Sequence, residues 1–240
     1  MPRALLAFFA GALLHALGCS EPLEPLPPPT VARPSASGAR TGRGPEPPMV
    51  VETPFVLEDG FRWLARADFD SFQAEEDTWQ ALPEGIRCSG KPKGYLHSKE
   101  SFQNFTLRLS YRFPWPEGGS DSAQFKGNTG FLVYISGEHK IWPVCLEVQG
   151  KYAEMGAIKE NGGAARPNIT DRDDVREAVR KPVGEWNDLE IVSRDGNLTV
   201  RLNGEEVARS EPAFLSSGPI GIQAEGFPFE VRRMRIRLDP

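Results

Sequence analysis

The chain has 240 residues, carries a formal net charge of −5 and is 39% hydrophobic. A negative net charge gives no electrostatic footprint for nucleic acid, so we expect no nucleic-acid partner. The sequence lacks a complete P-loop, the GxGxxG fingerprint, the Gly-x-Ser-x-Gly elbow and the zinc-type spacings CxxC and HExxH. Nucleotide chemistry, the common type of serine hydrolase and a zinc site are therefore without support.

The amino-terminal residues 1–18 are predicted to be an export signal. One arginine precedes an apolar run from Ala4 to Gly18, which is shorter than the roughly 20 residues that a transmembrane helix needs. The run Ala16-Leu17-Gly18-Cys19 resembles a bacterial lipobox, in which the cysteine is lipidated. We therefore expect Cys19 to carry a lipid anchor and the protein to lie in the cell envelope, on the outer-membrane or periplasmic side. Ordinary secretion is the alternative.

The next segment, residues 19–48, is rich in Pro, Ala, Gly, Ser and Arg and has hardly any large apolar side chains. Such a segment cannot bury enough surface to offset the entropy lost on ordering, so it is predicted to be a disordered tether. Residues 49–240 are long enough to enclose a large core and are predicted to form one domain.

Short runs with β-strand character recur through this domain, separated by clusters of Gly, Pro, Asn and Asp. The tetrapeptide Arg194-Asp195-Gly196-Asn197 is a hairpin signal, and residues 170–180 are predicted to be helical, with Thr170 or Asp171 as the cap. This pattern favours a β-sandwich or barrel over an alternating βα fold. The predicted strands include residues 105–113, 130–136, 188–193, 198–202, 219–223 and 229–238.

The run from Val144 to Gln149 is the most informative of these strands. Its apolar residues alternate with Cys145, Glu147 and Gln149, so the carboxylate and the amide stand on the face opposite the core. Glutamate is uncommon in strands. Periodicity alone leaves two interpretations open, a solvated outer face or the polar floor of a sugar-binding cleft in a β-sandwich.

Several short phrases follow one another in order along the domain: Trp79, 88–96 (CSGKPKGYL), 104–107 (NFTL), 128–130 (NTG), 146–149 (LEVQ), 184–187 (GEWN), 202–204 (LNG), 218–223 (GPIGIQ) and 228–232 (PFEVR). Together they resemble the 3-keto-disaccharide hydrolase family over nearly all of residues 53–238. The resemblance implies an all-β, concanavalin A-like (laminarinase-like) jelly-roll β-sandwich, to which the residue patterns add one short helix and the disordered N-terminal tether.

The resemblance also implies a substrate, a glycoside already oxidised to a ketone at C3. The ketone acidifies the C2 hydrogen, so a base can remove it and the C1 oxygen can be expelled. Water then adds to the enone, and the net result is hydrolysis of the glycosidic bond, by a hydrolase or by a lyase with hydratase activity. Ordinary glycosidases need two carboxylates that flank the bond. The strand supplies Glu147 beside Gln149 rather than a second acid, which favours proton abstraction.

Candidate site residues follow from these phrases and from residue chemistry. Each also has a structural interpretation, such as a solvated charge, a strand-end histidine or an ion pair between Arg232 and Glu230. The catalytic candidates are Glu147 as the base, His139 as a proton shuttle near neutral pH and Lys159 as a cation for the enolate. The substrate-binding candidates are Gln149, Asn128, Arg232, Gln223 and Trp142, whose ring can stack on a sugar.

The main alternative function is a non-catalytic, lectin-like carbohydrate-binding module on a lipid tether. Both the enzyme and the binding module are expected to have a carbohydrate partner, which for the enzyme is an oxidised glycoside. Both are expected to contact the membrane through the lipid anchor only.

The sequence requires no cofactor, although a divalent metal that polarises the C3 ketone would be chemically sensible. The acidic run 171–174 resembles a calcium loop but lacks its glycine and its closing glutamate. Cys88 and Cys145 could form a disulfide in an oxidising compartment or remain two buried thiols, and the sequence leaves this open.

Overall fold

The computed structural model describes residues 54–115 and 121–240. These residues contain two antiparallel β-sheets, one of nine strands and one of six. In the described residues there is one α-helix, Asp173–Val179 (α1), and there are three short 3₁₀ turns, Arg66–Asp68, Ser122–Gln124 and Tyr152–Glu154. The strands in chain order are Arg62–Trp63 (β1), Phe69–Phe72 (β2), Trp79–Leu82 (β3), Gly85–Cys88 (β4), Gly94–Ser98 (β5), Phe105–Arg112 (β6), Gly130–Ser136 (β7), Val144–Gln149 (β8), Ile158–Asn161 (β9), Ile169–Asp171 (β10), Asn187–Arg194 (β11), Asn197–Leu202 (β12), Glu205–Ser210 (β13), Gly221–Ala224 (β14) and Phe229–Leu238 (β15).

Strands distant in sequence pair within each sheet. The nine-stranded sheet has the order β10-β13-β12-β11-β6-β15-β4-β3, with β1 beside β15, and the six-stranded sheet has the order β2-β5-β14-β7-β8-β9. The pairing of β6 with β15 and of β5 with β14 joins the first half of the domain to its last strands. This confirms the predicted all-β jelly-roll sandwich.

The core lies between the two sheets and follows from the period-two pattern of the strands. On β6, Phe105, Leu107 and Leu109 are buried in the core, whereas Arg108 on the opposite face binds Glu190 at 2.7 Å. Each inward side chain removes apolar surface from water, worth about 1.5–3 kcal/mol for a fully buried large residue. The outward positions can then be charged without cost to the core.

The predicted strands match the structure closely. Strands β7 and β15 have the predicted bounds, and the strand around Glu147 is β8. The tight turn at Asp195 and Gly196, which have φ values of 48° and 80°, joins β11 to β12, as the hairpin signal predicted. The strand predicted over 219–223 begins two residues later, at Gly221.

The helix predicted over residues 170–180 is too long, because its first residues belong to a strand. Ile169, Thr170 and Asp171 pair with β13 at the edge of the nine-stranded sheet, where β-branched side chains are favourable. Neither Thr170 nor Asp171 caps the helix: the N-cap is Arg172, without a side-chain cap bond.

The two cysteines of the domain are separate buried thiols, so the disulfide left open by the sequence does not form. Cys88 lies on β4 of the nine-stranded sheet and Cys145 on β8 of the six-stranded sheet. Burial raises the pKa of both thiols well above the ordinary value, which keeps them protonated and unreactive.

Several sequence predictions fall outside the described residues. These are the signal over 1–18, lipidation at Cys19, the tether over 19–48 and the beginning of the predicted domain over 49–53. Within residues 54–115 and 121–240, the structure has no helix with the length and apolar character that crossing a membrane requires.

The helix is fixed to the sandwich by Arg176, whose side chain is only 1% exposed. Its guanidinium binds Asp171 and Asp173 and donates to the Met155 carbonyl at 2.8 Å. Met155 belongs to the connection between β8 and β9, so this arginine links the helix to the segment that carries Glu154. The same contacts occupy two carboxylates of the acidic run that resembles a calcium loop.

We predict that Arg176→Met lowers the free energy of unfolding by about 2 kcal/mol, because it leaves the buried Met155 carbonyl without its donor. Urea unfolding measures this change. Arg172→Met is the matched control, since Arg172 is exposed and reaches the Glu206 carbonyl at 3.4 Å. Equal stability of the two variants would contradict the anchoring role.

Candidate functional site

Glu147 lies in the middle of β8 on the outer face of the six-stranded sheet. Its neighbours Leu146 and Val148 point into the core, so the period-two pattern places the carboxyl group on the opposite side. The residue is nevertheless only 7% exposed. A carboxyl on an outer sheet face is ordinarily solvated, so the site must cover it with other groups.

A glycine on the neighbouring strand makes room for this carboxyl. A Cβ atom added to Gly130 on β7 would lie 2.3 Å from Glu147 Oε1 and 2.3 Å from Gln223 Oε1. The two oxygens are thus separated by no more than twice that distance, directly above the glycine backbone. The missing side chain lets a carboxyl from β8 and an amide from β14 meet across the strand between them.

Burial dominates the electrostatics of Glu147. Its pKa is raised from 4.5 to about 8, chiefly by desolvation and further by the negative charges of Glu225 and Glu154. The positive charge of Lys159 and a hydrogen bond of 3.2 Å from Asn161 Nδ2 to Oε2 act in the opposite direction. At neutral pH the carboxyl is mostly protonated, with roughly a tenth of the molecules ionised.

Lys159 lies directly opposite Glu147 in the β8–β9 register. Its Nζ atom binds Glu154 at 2.6 Å, and Lys151 binds the same carboxylate at 2.7 Å. The two lysines hold the pKa of Glu154 at about 2. Lys159 therefore acts on Glu147 through its charge, while its ammonium group is held by Glu154.

Two amide groups, Gln223 beside Glu147 and Asn128 two residues before Gly130, have polar atoms that lack a hydrogen-bond partner in the described residues. Gln223 is only 1% exposed, and neither its Oε1 nor its Nε2 is bonded; the same holds for Asn128 Oδ1. The backbone at Gln223 is fixed by a bond of 2.7 Å from Thr129 Oγ1 to its carbonyl oxygen. Because unbonded buried polar groups cost free energy, such groups are expected where a ligand completes them.

Gln149 shares the outer face with Glu147, as predicted, and is paired with Gly130. Its Oε1 accepts a bond of 2.9 Å from the backbone N–H of Lys151. That contact uses one of its polar atoms to shape the loop after β8, and the amide nitrogen is the part of Gln149 that can meet a ligand.

The other side of Gln223 carries Glu225, Lys93 and Trp142. Glu225 is two residues beyond Gln223 and therefore on the same face; burial raises its pKa, while the charge of Lys93 lowers it. Lys93 Nζ lies 5.7 Å from the ring centroid of Trp142, which is 42% exposed. This group adds an exposed aromatic ring and a second carboxyl to the site.

His139 belongs to a different group on the same sheet. Its Nδ1 lies 2.6 Å from the Tyr95 hydroxyl, and its ring is 4.3 Å from the ring of His97. In the strand register His97 and Glu147 are three strand spacings apart, with Gly221 and Leu132 between them, which is about 14 Å. His139 therefore belongs with Tyr95 and His97, and among the described residues it makes no hydrogen bond or ion pair with Glu147.

Arg232 lies on the opposite side of the sandwich. It belongs to β15 of the nine-stranded sheet, and its guanidinium stacks 4.2 Å above the Trp186 ring. Arg112 stacks on the same ring and binds Glu230 at 2.8 Å. The structure does not join Arg232 to the group around Glu147, and its neighbour Glu230 is paired with other arginines.

Three residues of the site were not predicted from the sequence: Glu225, Asn161 and Gly130, whose missing side chain leaves space for the Glu147 carboxyl. A signal for Glu225 was present, since a strand that places Gln223 on one face places residue 225 on the same face. The meeting of Asn161 and Gly130 with Glu147 depends on strand pairing across β7, β8 and β9, which no local pattern encodes.

The raised pKa of Glu147 predicts that stability falls as pH rises. The folded state holds a proton that the unfolded state releases near 4.5, so the stabilisation present below that pH is lost up to about 8. We expect Glu147→Gln to gain roughly 4 kcal/mol over the wild type between pH 5 and pH 9. Chemical unfolding at both pH values measures the difference.

The control for this experiment is Glu100→Gln, at an exposed carboxylate paired with Arg62. Its stability relative to the wild type should change little between the two pH values. A Glu147→Gln curve parallel to that of the wild type would contradict the burial of the Glu147 carboxyl.

Comparison with solved structures shows that the β-sandwich fold of this chain is shared with other proteins. A predicted glycosyl hydrolase from Parabacteroides distasonis ATCC 8503 is similar with a TM-score of 0.55 and 17% identity, over 77% of this chain and 99% of the other. A second from the same organism has a TM-score of 0.53 and 19% identity, over 72% and 94%. The carbohydrate-binding module CBM66 from Bacillus subtilis has a TM-score of 0.49 and 14% identity, over 71% and 95%.

At these identities the two structures from Parabacteroides distasonis show the shared β-sandwich only. A sequence comparison with curated proteins gives no match. The family assignment comes from the sequence itself. The model of the 3-keto-alpha-glucoside-1,2-lyase-like domain matches residues 63–237. The chain therefore belongs to the 3-keto-alpha-glucoside-1,2-lyase-like family.

Proposed function

We propose that the protein cleaves the glycosidic bond of 3-keto-glycosides by removing the C2 proton and eliminating the C1 oxygen. The observation that carries this proposal is the buried carboxyl of Glu147, with a pKa near 8, packed against an unbonded buried amide. A base with a pKa near the working pH combines a useful ionised fraction with strong basicity. Family membership supports the same substrate class.

The reaction needs one base for the C2 proton and a proton for the departing C1 oxygen. The Glu147 carboxylate takes the C2 proton, and the electron pair of the C2–H bond enters the enolate of the C3 ketone. The enolate re-forms the ketone as the C1–O bond breaks, which leaves a C1=C2 double bond and releases the aglycone. Water then adds at C1 while C2 regains a proton, so the overall change is hydrolysis.

The neighbouring groups fit roles in binding and charge stabilisation. The Gln223 amide lies beside Glu147 Oε1, where its N–H can donate to the enolate oxygen that develops next to C2. Asn128 and the nitrogen of Gln149 are suited to sugar hydroxyl groups. The exposed ring of Trp142 offers an apolar wall for a sugar or an aglycone.

We further propose that the enzyme works in the cell envelope on a lipid anchor at Cys19. The lipobox-like run at 16–19 and the composition of residues 19–48 support this location. Mass spectrometry of the protein purified from a membrane fraction tests it, because lipidation adds acyl chains to Cys19.

Carbohydrate binding without turnover is the second candidate function. The exposed Trp142 next to unbonded amides favours it, because lectin sites combine aromatic rings with hydrogen-bonding groups. The buried carboxyl of Glu147 distinguishes the two functions, since a binding site does not need a carboxyl kept protonated at neutral pH.

We predict that the purified domain releases the aglycone from a 3-keto-glucoside and that Glu147→Gln lowers this rate about 10²- to 10⁴-fold. A substrate with deuterium at C2 should react more slowly and lose its label to solvent. The unoxidised glucoside should not react, because its C2 hydrogen is not acidic, and Glu100→Gln should retain full activity.

Two results would count against this proposal. Full retention of the C2 label in the product would exclude proton abstraction, and activity of Glu147→Gln equal to that of the wild type would remove Glu147 as the base. Tight sugar binding by a protein without turnover would support the binding module instead.

Gly130→Ala tests the contact between Glu147 and Gln223. The added Cβ would stand 2.3 Å from both side-chain oxygens, and these are ends of flexible side chains that can move apart. We expect a folded variant whose kcat/KM is lower by about 100-fold, as misplacement by about 1 Å produces. Unchanged kcat/KM in a variant with an unchanged melting temperature would show that the contact is not needed.

A further inference from the structure

A second carboxyl group, that of Glu225, faces the same site from the far side of Gln223. Ala224 between them points into the core, so Gln223 and Glu225 share the outer face of β14 and its extension. Glu147 reaches Gln223 from the opposite direction, across Gly130. The buried amide therefore lies between the two carboxyl groups.

Glu225 is suited to hold a proton. The residue is half-buried, and the described part of the structure gives its carboxyl no hydrogen bond and no ion pair. Desolvation raises its pKa, and the charge of Lys93 moderates the rise. By contrast, Glu154 in the same site is held ionised by two lysines, so it cannot donate a proton at neutral pH.

The proposed reaction requires such a donor. Glu147 removes a proton from carbon, so it is occupied when the C1–O bond breaks. An alkoxide leaving group needs a proton at that moment, because simple alcohols are very weak acids. A nitrophenolate leaves without one.

We propose that Glu225 is a second catalytic residue, the general acid that protonates the departing glycosidic oxygen. This inference rests on the proposed function. The Glu225 O–H proton passes to the glycosidic oxygen as that oxygen takes the electron pair of the C1–O bond. In the hydration step the Glu225 carboxylate takes a proton from the water that attacks C1, and Glu147 returns a proton to C2. Both groups thus regain their starting states.

This role differs from a purely electrostatic one. When Glu225 is ionised, its charge also raises the pKa of Glu147, and loss of that influence would change the base for every substrate alike. A general acid matters only where the leaving group is poor. Comparison of two leaving groups on one sugar therefore separates the two roles.

The experiment compares methyl and 4-nitrophenyl 3-keto-glucosides with the full domain, with Glu225→Gln and with the control Glu100→Gln. We expect Glu225→Gln to lose at least about 100-fold in kcat on the methyl glycoside and to stay within about 5-fold of the wild type on the nitrophenyl glycoside. Glu100→Gln should match the wild type on both. Melting temperatures confirm that all variants are folded.

Equal losses on both substrates, or no loss on the methyl glycoside, would overturn the assignment of Glu225 and leave Glu147 as the base. Turnover of neither substrate by the wild type would overturn the proposed function and, with it, this inference.

Discussion

The site depends on one constraint, the exclusion of water from the carboxyl group of Glu147. An ionised carboxylate loses much of its hydration when it is buried, so the protonated form is favoured until a partner or a substrate compensates. The glycine at position 130 permits this arrangement, because any larger side chain would separate the carboxyl from Gln223. The space above Gly130 thus allows the burial that raises the pKa of Glu147.

The pKa values of carboxyl groups shift in opposite directions on the outer faces of the two sheets. On the nine-stranded sheet, Glu190 lies between Arg108 and Arg201, and Glu230 between Arg87 and Arg112, and these guanidinium groups lower the pKa of both carboxyls. Such paired charges stabilise a fixed surface. On the six-stranded sheet, desolvation raises the pKa of the carboxyls of Glu147 and Glu225. Buried polar groups without a hydrogen-bond partner, such as the Gln223 amide, mark this face as the one suited to a ligand.

The sequence predicted what local patterns determine. Alternation in Val144–Gln149 correctly placed Glu147 opposite the core, and turn residues located the hairpin between β11 and β12. Contacts between side chains on different strands could not be predicted from the sequence. Glu225 is a second carboxyl group close to Gln223, and the sequence had offered only Glu147. Proton abstraction is therefore supported by the buried base and by the family, and not by the absence of a second acid. The positions of His139 and Arg232 relative to Glu147 were beyond the sequence for the same reason, because strand order and sheet membership are properties of the whole fold.

The most direct test of this account is a pH titration of the Glu147 carboxyl by NMR, with ¹³C-labelled glutamate and Glu147→Gln to identify the signal. The account predicts an apparent pKa of about 8 in the free protein. A titration midpoint near the ordinary value of 4.5 would show that water reaches the carboxyl and would contradict its role as a desolvated base.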